Sequence, residues 1–201
     1  MKFPIILVDN GHGKETAGKR SPDGKLREYR WTRIAVGKIV EQLKEKGLNA
    51  FLLTPEEEDI PLQKRVNRVE AYCRQYGSNN VIVISVHCNA FGDGIQWTAP
   101  KGWSAYTTKG VTRSDEIAKV LYKHADLCFP DRKVRRFEGE DNPDYEEQFY
   151  ILRKTSCPAV LTENFFMTNE DDYRYLLTEE SVNAVVKCHV DALLEYIENA
   201  Y

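Results

Sequence analysis

Two histidines and a glutamate stand in this sequence where an α/β sheet would place chemistry. His12 lies in the turn Gly11-His12-Gly13 after the apolar run Phe3 to Val8, His87 follows Val81 to Val86, and Glu163 follows Pro158 to Thr162. The first run is continuously apolar and the second nearly so, as in strands covered on both faces, and the third is a further buried-strand candidate. Ligands of open α/β sheets bind outside the carboxyl ends of the strands, so the three groups are expected to converge at one sheet edge. Two imidazoles and a carboxylate suit a catalytic zinc ion that keeps one position open for water. A lone histidine at a strand end is more often structural than a ligand, so the joint placement carries the reading. The glycines beside His12 let the backbone turn sharply against a ligand.

The elements that must position these groups follow from periodicity. Trp31, Ile34, Ala35, Ile39, Val40 and Leu43 recur at helical spacing between Glu28 and Lys46, with Gly47 as the stop. Leu48 to Leu53 reads as a strand. Pro61 opens a helix carrying Leu62, Val66, Val69, Cys73 and Tyr76. Further along come a strand over Trp103 to Thr108, a helix from Ser114 to Cys128, and a closing helix from Glu179 to Glu198 with Thr178 as N-cap. Strands alternating with helices predict a three-layer α/β/α fold around a mostly parallel sheet, as one domain over 1–201. The pattern fails over 130–148, where Arg132, Lys133, Arg135 and Arg136 precede Glu138, Glu140, Asp141, Asp144, Glu146 and Glu147. That stretch is expected to be a long loop, solvated or folded as a flap over a substrate groove.

Composition narrows the function classes. A net charge of -3 gives no broad electrostatic reason to bind nucleic acid or an anionic membrane. No run approaches the roughly 20 apolar residues of a membrane helix, and the N-terminus reads as a strand, not a signal peptide. The five cysteines, Cys73, Cys88, Cys128, Cys157 and Cys188, are odd in number and form no CxxC pair, which argues for reduced, mostly buried thiols.

Four blocks bring a family into view: DNGHGKETAGKRSPDG, GKLREYRW, ISVHCNA and PAVLTENFFMTN. From ILVDNGHG to the last helix the chain resembles the zinc-dependent N-acetylmuramoyl-L-alanine amidases of the type-3 group, whose layered fold is similar to that of zinc peptidases. The resemblance implies Zn2+ held by His12, Glu28 and His87, with Glu163 as the catalytic glutamate. It implies hydrolysis of the amide between the muramyl lactyl group and L-alanine in peptidoglycan. The metal would activate water and polarise the carbonyl while Glu163 moves the proton to the leaving amine. The chain departs from the family at Asn10, usually proline, and at Phe165, often glycine. Neither position should hold metal, so loop shape is what those departures affect.

Rival assignments remain in the sequence. Glu15 forms an H-x-x-E spacing with His12 like that of zinc carboxypeptidases, and Glu28 is preferred over it on the resemblance. A carboxypeptidase would need an arginine clamp for a free carboxylate, for which Arg153 is the candidate; a catalytically inactive peptidoglycan-binding domain is the other alternative. Asn89 is a possible substrate contact, as are Trp97, Trp103 and Tyr106, with core packing expected for at least two of those three aromatics. His124 and His189 sit on apolar helix faces and read as satisfied core histidines. Cys88 adjoins His87, but neighbouring strand residues face opposite ways, which disfavours a cysteine hydrolase. A monomer is expected. The site of action is the cell wall, reached through a leader absent from this numbering or by lysis-type release from the cytoplasm.

Overall fold

The computed structural model describes residues 3–137 and 142–200. Its centre is a six-stranded sheet made of β1 (Ile5–Asn10), β2 (Asn49–Leu52), β3 (Val81–Asn89), β4 (Ser104–Thr107), β5 (Tyr145–Glu146) and β6 (Ala159–Phe166), in the order β2-β1-β3-β6-β4-β5. β2, β1, β3 and β6 are mutually parallel. β4 runs antiparallel to β6, and β5 joins it as a short edge strand.

Side chains of a strand alternate between faces, and the core divides accordingly. Ile6, Val8, Ile82, Ile84 and Val86 pack beneath α1 (Glu28–Glu45), α3 (Arg113–Cys128) and α6 (Glu179–Ala200). Ile5, Leu7, Val81, Val83, Ala159 and Leu161 face α2 (Leu62–Tyr76) and the short α4 (Tyr150–Lys154). Helices on both faces make three layers. The expected caps are present where they matter for register: Thr178 Oγ1 accepts from the Ser181 N–H at 3.1 Å at the start of α6, and Gly47 takes the left-handed φ of 80° that ends α1.

Three expectations change. β3 does not stop at Val86 nor β6 at Thr162; both ladders continue, placing His87 and Glu163 inside strands and directly opposite each other. The last strand turns still form ladder bonds while their side chains become polar on one face only, so an apolar run ends before its strand does. α5 (Glu170–Leu176) and α4 are additional, too short to show periodicity. The stretch 130–148 is partly sheet edge: Val134 bridges Trp103, Tyr145 and Glu146 form β5, and the Glu147 N–H donates to the Thr107 carbonyl at 2.9 Å. Glu138, Glu140 and Asp141 lie outside the described residues.

Candidate metal centre

β1 ends at Asn10, and the Gly11 N–H donates to the Val86 carbonyl at 2.8 Å, turning the chain over the carboxyl end of β3. His12 then takes φ 58°, a left-handed conformation that costs a non-glycine residue about 1–3 kcal/mol unless its surroundings enforce it. Two arginines do so. The His12 carbonyl accepts from both terminal nitrogens of Arg33 at 3.1 Å and from Arg65 Nη2 at 3.4 Å. Arg65 is itself buried, donating through Nη1 to Asp9 Oδ1 at 2.9 Å and to the Asn10 carbonyl at 2.5 Å. Thr54 and Ser85 hydroxyls complete the shell of Asp9, each at 2.9 Å.

Glu28 enters from the start of α1. The loop from Lys14 to Arg27 folds back through an Arg20–Arg27 bridge, and the Lys19 carbonyl accepts the Glu28 N–H at 3.1 Å, fixing the first turn of α1. The Glu28 side chain is fully buried. Its Oε1 accepts from the Cys88 N–H at 3.1 Å and lies 3.0 Å from His87 Nδ1. Its Oε2 lies 3.5 Å from His12 Nε2 yet has no hydrogen-bond partner among the described residues. The two imidazole rings meet edge-on at 5.2 Å. One donor atom from each of His12, Glu28 and His87 falls within 4.8 Å of the others. Gly11 makes room for this set, since a Cβ there would stand 2.6 Å from Glu28 Oε1 and 2.8 Å from His87 Nδ1. A buried carboxylate oxygen left without a donor is costly, and beside two imidazoles it fits a metal ion as the missing partner.

Electrostatics support that fit. Burial lowers the His12 pKa to about 4 against the pull of Glu28, leaving its imidazole neutral and ready to coordinate at neutral pH. Burial would raise the Glu28 carboxyl, but the hydrogen bond and charge of His87, with the charge of His12, outweigh it and hold the group below its ordinary value. His87 shifts upward because Glu28 overcomes the effect of burial.

Glu163 faces the same space from β6. Its Oε2 is out of water and without a partner among the described residues, and burial raises its pKa to about 7, offset by His87 and reinforced by Glu28. It borders a cavity of about 560 Å³ whose polar side is formed by Asp9, His12, Lys19, Arg65 and His87 and whose apolar wall includes Leu62, Phe149, Ile151 and Leu161. Three of the four residues marked by sequence, His12, His87 and Glu163, therefore line one cavity, and the fourth, Glu28, is buried against the two histidines. Residues 6–195 match the family model described as N-acetylmuramoyl-L-alanine amidase. The chain belongs to the N-acetylmuramoyl-L-alanine amidase family.

Relatives of this amidase family member include the endolysin of Bacillus phage SPP1, 26% identical over 96% of this chain and 66% of its own length. Another is the amidase AmiC of Neisseria meningitidis serogroup B, 23% identical over 98% of this chain and 53% of its own. The chain thus spans less than two thirds of these curated relatives. Among solved structures, an N-acetylmuramoyl-L-alanine amidase from Clostridium difficile 630 superposes with TM-score 0.84 at 20% identity, covering 100% of both chains. The catalytic domain of CwlV from Bacillus (Paenibacillus) polymyxa var. colistinus gives TM-score 0.81 at 22% identity, covering 98% of this chain and 99% of that one. These likenesses concern the fold.

Against the family pattern, the departure at Phe165 has a structural reading: its φ is 66°, the conformation glycine adopts freely, and its ring is buried against Phe129 and Tyr175. Asn10 exchanges hydrogen bonds with Thr54, accepting from its hydroxyl at 2.8 Å and donating to its carbonyl at 2.9 Å.

The other sequence candidates lie elsewhere. Glu15 is exposed and accepts the Asp59 N–H at 3.1 Å, outside the ligand set. Asn89 accepts the Ala90 N–H on its own side chain at 2.8 Å and is not among the residues lining the cavity. Trp103 is fully buried with its indole N–H on Asn164 Oδ1 at 2.9 Å, Tyr106 packs on Tyr145 and Phe149, and Trp97 is exposed beside Tyr173. His189 is a satisfied core histidine between Thr162 and the Val185 carbonyl. His124 is half-buried and sits 2.8 Å from Glu195 Oε2. Cys88 points into the core opposite the site, where burial pushes its thiol well up. Arg153 is exposed over the Tyr150 ring and does not line the cavity. Arg33 and Arg65 were invisible to periodicity, which treats a charge on a helix as solvent-facing.

Proposed function

We propose that this chain is a zinc-dependent amidase that hydrolyses the bond between the muramyl lactyl carbonyl and L-alanine of peptidoglycan. The observation that carries the reading is the His12, Glu28 and His87 donor cluster, whose two histidines line one cavity with Glu163, in a chain matched over 6–195 by the amidase family. When bound by His12, Glu28 and His87, zinc would supply Lewis acidity, lowering the pKa of water and polarising a carbonyl.

The remaining work falls to side chains. Glu163 Oε2 takes a proton from the attacking water and passes it to the alanine nitrogen, which must leave as an amine. A carboxyl whose pKa is raised to about 7 can hold and release that proton near neutrality. Arg33 and Arg65 keep His12 in place while the substrate changes shape. The apolar wall of Leu62, Phe149, Ile151 and Leu161 borders the reacting centre.

A carboxypeptidase has less support, because among the described residues no arginine other than Arg65 lines the cavity, Arg65 is already engaged by Asp9, and Lys19 lacks the fork that clamps a terminal carboxylate. An inactive binding module has less support because all four chemical residues are present. Peptidoglycan is the proposed partner and a monomer the proposed state. Among the described residues no helix is long and apolar enough to cross a membrane. The test is a soluble N-acetylmuramoyl-L-alanyl peptide incubated with chelated and zinc-reloaded protein. Cleavage at the lactyl amide only after reloading is expected, and an intact amide with zinc bound would refute the proposal.

A further inference from the structure

Lys19 is a half-buried lysine on the cavity wall beside His12, His87 and Glu163. Its neighbours Ala17, Gly18 and Arg20 are exposed. The backbone that carries it is fixed: its carbonyl accepts the Glu28 N–H at 3.1 Å, Arg20 bridges Arg27, and the loop after β3 packs close enough that a Cβ on Gly94 would stand 3.1 Å from the Gly18 carbonyl. The ammonium is thus presented by a tethered loop.

Charge accounting around the cavity singles it out. Asp9 is matched by Arg65 at 2.9 Å, Asp59 by Arg65 at 3.4 Å and by the Thr16 hydroxyl, Glu28 lies against the two histidines, and Glu163 has an oxygen without a partner among the described residues. Among the described residues no carboxylate lies within ion-pairing distance of Lys19, although its field reaches His12, Glu28 and Glu163. A partly desolvated ammonium without a counter-ion beside a reaction centre suits an anionic group brought by the ligand. On the glycan side of the lactyl amide the groups are neutral hydroxyls and acetamides. Carboxylates occur on the peptide side.

Resting on the amidase reading, we propose that Lys19 forms a carboxylate subsite that binds the free α-carboxyl of the residue following L-alanine, so that the enzyme prefers stem peptides in which this group is not amidated. Lys19 is a specificity-determining residue in this account, and it takes no part in proton transfer.

The experiment uses zinc-loaded protein and two probes, N-acetylmuramoyl-L-alanyl-γ-D-glutamyl-L-lysine and its counterpart with the glutamate α-carboxyl as carboxamide. A hydrogen bond to a charged group is worth about 1.5–3 kcal/mol, so KM for the acid should be lower by roughly ten- to a hundredfold. Lys19→Met should bring the KM ratio to about one by raising KM for the acid, and Lys19→Arg should restore most of the preference. Zinc content is measured in each variant, because the Lys19 carbonyl caps Glu28. Calorimetric binding of both probes to zinc-loaded Glu163→Gln protein gives the same ratio without turnover. Absence of a preference in the wild type, or an equal fall in kcat on both probes with the ratio intact in Lys19→Met, overturns the inference. Release of lysine in place of cleavage at the lactyl amide would instead overturn the amidase reading, while the binding ratio still reports on Lys19.

Discussion

His87 and Glu163 are direct cross-strand partners in the parallel ladder of β3 and β6. The proposed metal ligand and the proposed proton-transfer group are thereby spaced by backbone hydrogen bonds between two central strands. His12 and Glu28 come from loops and helix ends and need separate devices, the two arginines and the Lys19 cap.

The division of labour between Glu163 and the ligand set can be separated by one atom. Glu163→Gln keeps size and removes the base, so kcat should fall by roughly 10²–10⁴-fold with zinc stoichiometry unchanged. Turnover and metal content measured on the same preparation check this; loss of zinc would place Glu163 among the ligands.

Glu28 and Glu15 make opposite predictions. Glu28→Gln should weaken zinc by more than the roughly 10–100-fold that loss of an outer-shell partner costs, whereas Glu15→Gln should leave affinity within about twofold. Competition against a chromophoric chelator gives both numbers. Reversal of the two results would restore the H-x-x-E assignment.

Arg33→Lys should lower zinc affinity by about 10–100-fold through His12, as loss of an outer-shell partner does, since lysine cannot fork onto the carbonyl. Arg65→Ala should also destabilise the fold by about 3–5 kcal/mol, because it leaves buried Asp9 without its cation. Zinc titration alongside urea denaturation distinguishes the effects. An Arg33→Lys protein that binds zinc like the wild type would remove the clamp from the account.

His189 makes stability depend on pH. Burial lowers its pKa to about 4 from 6.5, so below 6.5 the unfolded chain takes up a proton that the folded one refuses. The contribution, about 3 kcal/mol by linkage, is complete above pH about 6.5 and is lost as pH falls towards 4. Urea midpoints across this range should drop more steeply for the wild type than for His189→Gln; equal slopes would show that His189 titrates normally.

Much of this was legible in sequence, for reasons that also mark what was not. Val81 to Val86 and Pro158 to Thr162 announce buried strands, and polar residues immediately after such runs locate the sheet edge that holds His87 and Glu163. The runs hid the true strand ends, because alternation turns polar only on the cavity face. The antiparallel sense of β4 leaves no trace in periodicity. α5 carried a readable signal in Asn169 followed by Glu170, Asp171 and Asp172, and Asn169 Oδ1 indeed accepts the Asp171 and Asp172 N–H groups at 3.1 and 3.2 Å. Glu28 is marked in sequence mostly by family likeness, because its burial against two histidines leaves no periodic signal. Arg65 could not be found, since its value lies in contacts with Asp9 and Asn10, more than fifty residues away.

The central claim is tested most directly by digesting purified sacculi and identifying the new ends. The account predicts free muramyl lactyl carboxylates and L-alanine amino termini in equal amounts, abolished by chelation, restored by zinc and absent with Glu163→Gln. Release of C-terminal amino acids without new L-alanine termini would contradict it.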